Sequence, residues 1–352
     1  MIPVFDGHND TLLNLIEPDR GQGRSFFEES EIGHIDLPRA GKGGLVGGFF
    51  AMFTPTPDGI KKPPKNASKV DAEAFLKMAQ KRVEHDYALA KTMAMTRLMY
   101  QLEAESAGKA KVVKDVQSLK QCIDAGTLAM IFHIEGAEAI DANLDALYVL
   151  YEAGLRSLGI VWSRPNVFGH GVPFSFPGSP DTGPGLTQEG IELVKVCNEL
   201  GIMIDVSHLN EKGFWDVVKL SKHPIVATHS CAHSLSASPR NLTDKQMDAI
   251  KDSDGMMGIN FHVGFLREDG ERNSDTPLSD MIRHIEYAVN RIGVDRVGLG
   301  SDFDGATMPD ELGDATGLPK IFALLEEKGY GVEEMEKLGF QNWIRVLSLT
   351  WR

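Results

Sequence analysis

Short apolar runs alternate with segments of helical period nearly from one end of the chain to the other, the pattern of a parallel sheet covered by helices. Strands are predicted at Pro3–His8, Leu45–Phe53, Leu128–Glu135, Ser157–Ser163, Met203–His208, Ile225–His229, Met256–Phe261 and Val297–Asp302. Eight strands alternating with helices make a closed (β/α)8 TIM barrel, an α/β fold that would take up the whole chain as one domain ending in C-terminal helices. The stretch Ala72–Glu105 is rich in Ala, Leu, Met and Lys and lacks Gly and Pro, which predicts one long helix. Thr243-Asp244-Lys245-Gln246 has the spacing of a capping box, so a helix is predicted to begin at Thr243. Gly154, Gly201 and Gly329 supply the left-handed positions that stop three others.

Two stretches interrupt this rhythm. Thr54–Lys69 carries four prolines and several lysines, and Val167–Leu186 is rich in Gly and Pro and contains Phe168, Phe174 and Phe176. Helical periodicity resumes after each, so both are predicted to be long βα loops rather than linkers. Such loops cover the C-terminal face of a barrel, where active sites form.

That face is where the polar residues of interest fall. His8 and Asp10, in Asp6-Gly7-His8-Asn9-Asp10, follow the first apolar run, and residues two apart on a strand point the same way. Alone, a His-x-Asp pair is more often a turn than a ligand set. Glu135, His208, His229 and Asp302 also end apolar runs, and a barrel gathers all of them on one face. Two pairs, His8/Asp10 and His208/His229, with Glu135 between them, suit two divalent ions such as zinc. Two adjacent ions can generate hydroxide from a shared water and polarise a carbonyl, which is hydrolytic chemistry. It then needs a carboxylate to move a proton from nucleophile to leaving group. Asp302 is the choice for that role, while Asp304, two residues on, reads as a turn residue.

Composition narrows the partners. A net charge of −14 over 352 residues disfavours binding to a phosphate backbone, so a small-molecule substrate is expected and nucleic acid is not. Cys122, Cys197 and Cys231 are odd in number and too far apart for a metal knuckle, and read as buried thiols. There is neither a signal-peptide pattern nor an apolar run of about 20 residues, so a cytoplasmic protein away from the membrane is expected.

The segments Asp6-Gly7-His8-Asn9-Asp10, Ile134-Glu135-Gly136, Ile204-Asp205-Val206-Ser207-His208, Thr228-His229-Ser230, Ser238-Pro239-Arg240-Asn241, Gly300-Ser301-Asp302-Phe303-Asp304-Gly305 and Asn342-Trp343-Ile344-Arg345-Val346 together resemble the membrane dipeptidase (renal dipeptidase) family of metallopeptidases. The resemblance covers nearly the whole chain. It implies two zinc ions, one on His8 and Asp10 and one on His208 and His229, bridged by Glu135 and a hydroxide. It also implies that Arg240 pairs with the C-terminal carboxylate of a dipeptide, which a guanidinium grips through two parallel hydrogen bonds. Tolerance of a D-residue at that position and pairing as a homodimer are further implications.

The chain departs from the pattern at one point. Where vertebrate-type members carry a histidine at the end of the fourth strand that helps bind the substrate carbonyl, this chain has Trp162. An indole N–H donates one hydrogen bond and carries no charge, so Trp162 is expected to contact substrate without replacing the imidazole. His170 and Arg164 are candidates to compensate. His262, past the seventh predicted strand, is expected at the rim in contact with substrate, as is His170, and His133 is expected to be a packed core histidine. Two other readings stay open: an amidohydrolase acting on N-acyl amino acids, and a barrel that binds without catalysis. The filled ligand and shuttle positions weigh against the second.

Overall fold

A computed structural model describes residues 1–57 and 81–351. Nine strands occur among them: β1 Val4–Asn9, β2 Leu45–Phe53, β3 Ala110–Val112, β4 Leu128–Glu135, β5 Leu155–Gly159, β6 Met203–Asp205, β7 Val226–Ser230, β8 Met256–Ile259 and β9 Val297–Leu299. Eight of them close in the order β1, β2, β4, β5, β6, β7, β8, β9. The closing contacts are β2 on β4, from Gly47↔Ala129 to Phe53↔Glu135, and Asp6 on Leu299 between β1 and β9. Every pairing is parallel, so all eight C-terminal ends share one face, as in a (β/α)8 barrel. β3 is additional: it lies beside residues 128–130 of β4, below the point where β5 begins to pair. Three residues are too few to carry a periodic signal, and the sequence reading missed it.

Each predicted strand is present, but several end earlier. The predicted Met203–His208 stops at Asp205, Val297–Asp302 stops at Leu299, and Ser157–Ser163 lies two residues earlier at its start and ends at Gly159. At two of these ends the backbone turns left-handed, at His208 (φ 66°) and Asp302 (φ 62°), which breaks the ladder before the polar residue arrives. Those side chains therefore stand on turns over the barrel mouth.

The capping box at Thr243 is present, with the Thr243 hydroxyl accepting from the Gln246 amide and Gln246 Oε1 accepting from the Thr243 amide at 2.9 Å. Gly201 ends the helix Gln188–Leu200 in the left-handed conformation. The predicted helix from Ala72 is corrected in part: its described portion runs His85–Glu105, Arg82–Glu84 is not helical, and residues 72–80 lie outside the described residues. Residues 58–69 of the first predicted loop also lie outside them.

The C-terminal helix Asn342–Thr350 lays Trp343 against the barrel's interior. Its ring packs on Phe49 and Phe5, with centroids 5.4 and 6.0 Å apart, and its Nε1–H donates to Leu299 O at 3.2 Å. This contact explains the glycine in Asp6-Gly7-His8: a Cβ on Gly7 would stand 2.6 Å from Trp343 Cζ2 and 2.4 Å from Thr228 O. All three cysteines are buried free thiols, and burial pushes Cys197 and Cys231 up to about 12. Among the described residues no helix is long and apolar enough to cross a membrane.

The Val167–Leu186 loop is stitched over the mouth rather than hanging from it. Val172 N donates to His208 O at 2.8 Å, Asn210 N to His170 O at 3.1 Å, and Gly178 N to Ala237 O at 2.8 Å. The loop thus bridges the segments that follow β5, β6 and β7.

Candidate metal centre

Glu135, the last residue of β4, extends its carboxylate between two groups of ligands. Its Oε2 lies 3.6 Å from His8 Nε2, while its Oε1 lies 3.0 Å from His208 Nε2 and 3.5 Å from His229 Nε2. His8 Nε2 is in turn 3.8 Å from Asp10 Oδ2. His8, Asp10 and Asp302 also present ligand atoms within 4.8 Å of one another, as do His8, Glu135 and His229. All six residues predicted from strand ends are therefore brought together.

Hydrogen bonds behind the ligands fix which ring nitrogen faces the centre. The Asp205 carboxylate can only accept, so the Thr228 hydroxyl, 2.6 Å from Asp205 Oδ2, gives its one proton there. Thr228 Oγ1 must then accept from His229 Nδ1–H at 2.7 Å, which leaves Nε2 of the neutral ring with a bare lone pair facing Glu135. Ser163 Oγ stands 2.7 Å from His208 Nδ1 and braces that ring from behind. The Nε2 atoms of His208 and His229 lie 3.1 Å apart. The bare His229 Nε2 and the Glu135 carboxylate oxygen 3.5 Å from it repel each other unless a proton or a cation lies between them.

Burial pushes His208 down, with Arg240 and His8 adding to it, and pushes His229 down, with His8 and Arg240 adding to it, so both rings stay neutral. Burial also acts downward on His8, but Glu135 and Asp10 outweigh it and hold its pKa well above the usual range. Burial raises Glu135 to about 7 against the attraction of His8, and raises Asp302 with Asp10 adding to the rise. One proton on His8 thus does the charge compensation that a cation would do. The set fits divalent metal: both His8 nitrogens and Asp10 Oδ1 are buried without a hydrogen-bond partner. Donors about 2.0–2.1 Å from a tetrahedral zinc stand about 3.3 Å apart, in the middle of the observed separations.

The other predicted site residues are placed as follows. Arg240 is buried beside β7, where Nη2 donates to His229 O at 3.0 Å and Nη1 to Ser230 Oγ at 3.4 Å, while Nε has no partner. Trp162 is half-buried, its ring 5.8 Å from that of His208. His170 is half-buried with Nδ1 unpartnered. His262 is buried, its Nδ1 within 3.2 Å of Thr307 O and its ring edge-on to Phe265. Arg164 is taken up elsewhere: Nε donates to Glu138 at 2.6 Å and Nη2 to Thr54 O at 2.7 Å, so its charge is already neutralised. His133 is the packed histidine expected, with Nδ1 2.9 Å from Ser157 Oγ and burial lowering its pKa to about 3. Asp304 does hold a turn: it is left-handed (φ 67°), and its Oδ1 accepts from His34 N at 2.6 Å.

Sequence reasoning missed the residues that orient the ligands. Besides Ser163, Thr228 and Asp205, these are Asn260, whose Nδ2 donates to Asp302 Oδ2 at 2.9 Å, and Asp6, which accepts from Ser301 N at 2.7 Å and Ser301 Oγ at 2.8 Å. Asp6 ties the Asp302 turn to β1, and burial raises its carboxyl to about 6. Several stand inside the motifs, but nothing local distinguishes them from ordinary strand-end polar residues.

The chain is similar to known proteins along nearly its whole length. The family model described as membrane dipeptidase (peptidase family M19) matches residues 1–350. A metallo peptidase from Rhodobacter sphaeroides, solved with a phosphinate mimic of the dipeptide L-Ala-D-Ala, is 45% identical and superposes with a TM-score of 0.90 over 99% of each chain. An uncharacterized Klebsiella pneumoniae protein from the pqqA 5′ region is 51% identical over 255 residues, 72% of this chain and 94% of its own. Dipeptidase verJ of Clonostachys rogersoniana is 26% identical over 99% of this chain and 84% of its own.

Proposed function

The chain belongs to the membrane dipeptidase family, peptidase family M19, and on that premise we propose that it is a binuclear zinc dipeptidase that cleaves dipeptides with a free C-terminal carboxylate, including those ending in a D-residue. The observation that carries the two-ion reading is the split of Glu135, with Oε2 toward His8 and Oε1 toward His208 and His229. His8, Asp10, Glu135, His208 and His229 would hold two ions there, whose chemistry would be to supply a water nucleophile at neutral pH and to polarise the scissile carbonyl.

The remaining work belongs to the chain's own groups. Asp302, held by Asn260 and raised above its ordinary pKa, accepts the proton of the attacking water and returns it to the leaving amine. Arg240 offers a buried guanidinium with an unpartnered Nε to the substrate carboxylate. The D-residue reading is supported by the L-Ala-D-Ala mimic bound to the Rhodobacter relative.

The test pairs metal analysis with substrate choice. Purified protein is expected to carry close to two zinc ions per chain and to hydrolyse L,L and L,D dipeptides faster than their N-acetyl forms. Turnover confined to the acylated compounds would make the chain an amidohydrolase of N-acyl amino acids. Less than one ion per chain, with no hydrolysis after zinc is added, would leave only a binding role.

A further inference from the structure

Trp162 does more than leave out an imidazole. Its ring lies between Phe53, at the end of β2, and Phe174, in the loop over the mouth, with centroids 5.1 and 5.3 Å away. Phe174 and Trp162 both reach the His208 ring, at 6.3 and 5.8 Å, so this aromatic wall borders the ligand cluster directly. Trp162 and Phe174 are only partly buried, so each keeps part of its surface open. The wall is also fixed in place. The Arg164 guanidinium sits 5.3 Å from the Phe53 and Trp162 rings, balanced by Glu138, and Val172 N anchors the Phe174 loop to His208 O.

The order of strands says which part of a substrate meets it. Arg240 follows β7, the acidic side chains Asp302 and Asp10 stand at β9 and β1, and Phe53 and Trp162 stand at β2 and β5 on either side of Glu135. In an eight-strand ring β2 is directly across from β7. A dipeptide with its carboxylate at Arg240 and its scissile carbonyl over Glu135 therefore sends its N-terminal residue away from β7. The ammonium of that residue is drawn to Asp10 and Asp302, and its side chain is left facing three aromatic rings.

We propose that Phe53, Trp162 and Phe174 form the subsite for the N-terminal side chain and select dipeptides whose first residue is apolar or aromatic. This selection rests on the dipeptidase reading above. The nearly isosteric pair Leu and Asn tests it most cleanly, because among the described residues the wall offers an amide only the single Trp162 indole N–H, too little to replace the water an Asn side chain gives up.

The experiment measures kcat/KM of the zinc-loaded enzyme for X-Ala and Ala-X, with X as Leu, Phe, Asn or Asp, in wild type and Phe174→Ala. In parallel, calorimetry measures binding of the matching X-Ala phosphinate pseudodipeptides to both proteins. Expected is a preference of about 10-fold or more for Leu and Phe over Asn and Asp when X is N-terminal, without the same ranking in Ala-X, and narrowing of that preference in Phe174→Ala. The proposal is overturned if the X-Ala ranking is flat, if the apolar preference instead follows X in the C-terminal position, or if Phe174→Ala leaves the ratio unchanged. Absence of turnover with every dipeptide would end the dipeptidase reading alone, and the binding ranking would still decide the fate of the wall.

Discussion

Replacing Arg240 tests the substrate assignment most directly. The side chain is 3% exposed, so a carboxylate bound to it is paired out of reach of bulk water. Removing one partner of a buried, hydrogen-bonded charge pair costs about 2–5 kcal/mol, which is about thirty-fold to several-thousand-fold in kcat/KM. Arg240→Ala has a second effect, because Arg240 also holds His229 O and Ser230 Oγ at the end of β7. That loss falls on every substrate alike, so the informative quantity is the ratio of kcat/KM for a free dipeptide to that for its C-terminal amide. In wild type the ratio is expected to be large, since the amide leaves the guanidinium buried and unpaired. In Arg240→Ala it is expected to fall toward one, mostly through KM for the free dipeptide. Arg240→Lys keeps the charge without the planar fork and is expected to lie between them. Equal losses on acid and amide, with zinc retained, would refute carboxylate binding and leave Arg240 as a brace for His229.

Asp302→Asn preserves shape and removes the proton acceptor, so turnover is expected to fall about 10²–10⁴-fold while metal analysis shows zinc retained; near-normal turnover would take Asp302 out of the mechanism. Thr228→Val severs the link from Asp205 to His229, and loss of such an orienting partner weakens metal binding by about 10–100-fold. Chelator competition is expected to show that loss, with Thr228→Ser restoring affinity, and equal affinity in all three proteins would contradict the relay. His284 is buried, with Nδ1 accepting from Ala232 N–H and Nε2–H donating to Leu266 O, each at 3.0 Å, and burial lowers its pKa from 6.5 to about 4. Between those values the unfolded chain takes up a proton that the folded one refuses, so this residue's stability cost is absent above pH 6.5 and grows as pH falls toward 4, to about 3 kcal/mol. An NMR titration of the folded protein is expected to find His284 neutral at pH 5.5; a midpoint near 6.5 would remove the effect.

The residues legible in the sequence and those that were not differ in where their evidence lies. His8, Glu135, His208 and His229 each follow an apolar run, and a parallel barrel turns that local fact into a shared location, because its strands all end on one face. Asp205, Thr228 and Ser163 gave no such signal, since their roles depend on contacts between strands: Thr228 meets Asp205 across 23 residues, and Ser163 meets His208 across 45. The same limit explains Arg164, which reads in sequence as a free cation near the site and is in the fold bonded to Glu138 and Thr54 O. Strand ends were misjudged at His208 and Asp302 for a related reason, because a left-handed residue looks like its neighbours until the ladder is seen to stop. The strongest sign of a metal centre is likewise absent from composition and spacing. It is that the fold satisfies Asp205, Ser301 and Asn260 with internal hydrogen bonds yet leaves His8 and Asp10 Oδ1 buried without partners. Burying polar groups unpaired is costly, so a fold that does so beside the Glu135 carboxylate and the bare Nε2 of His229 is shaped for a cation.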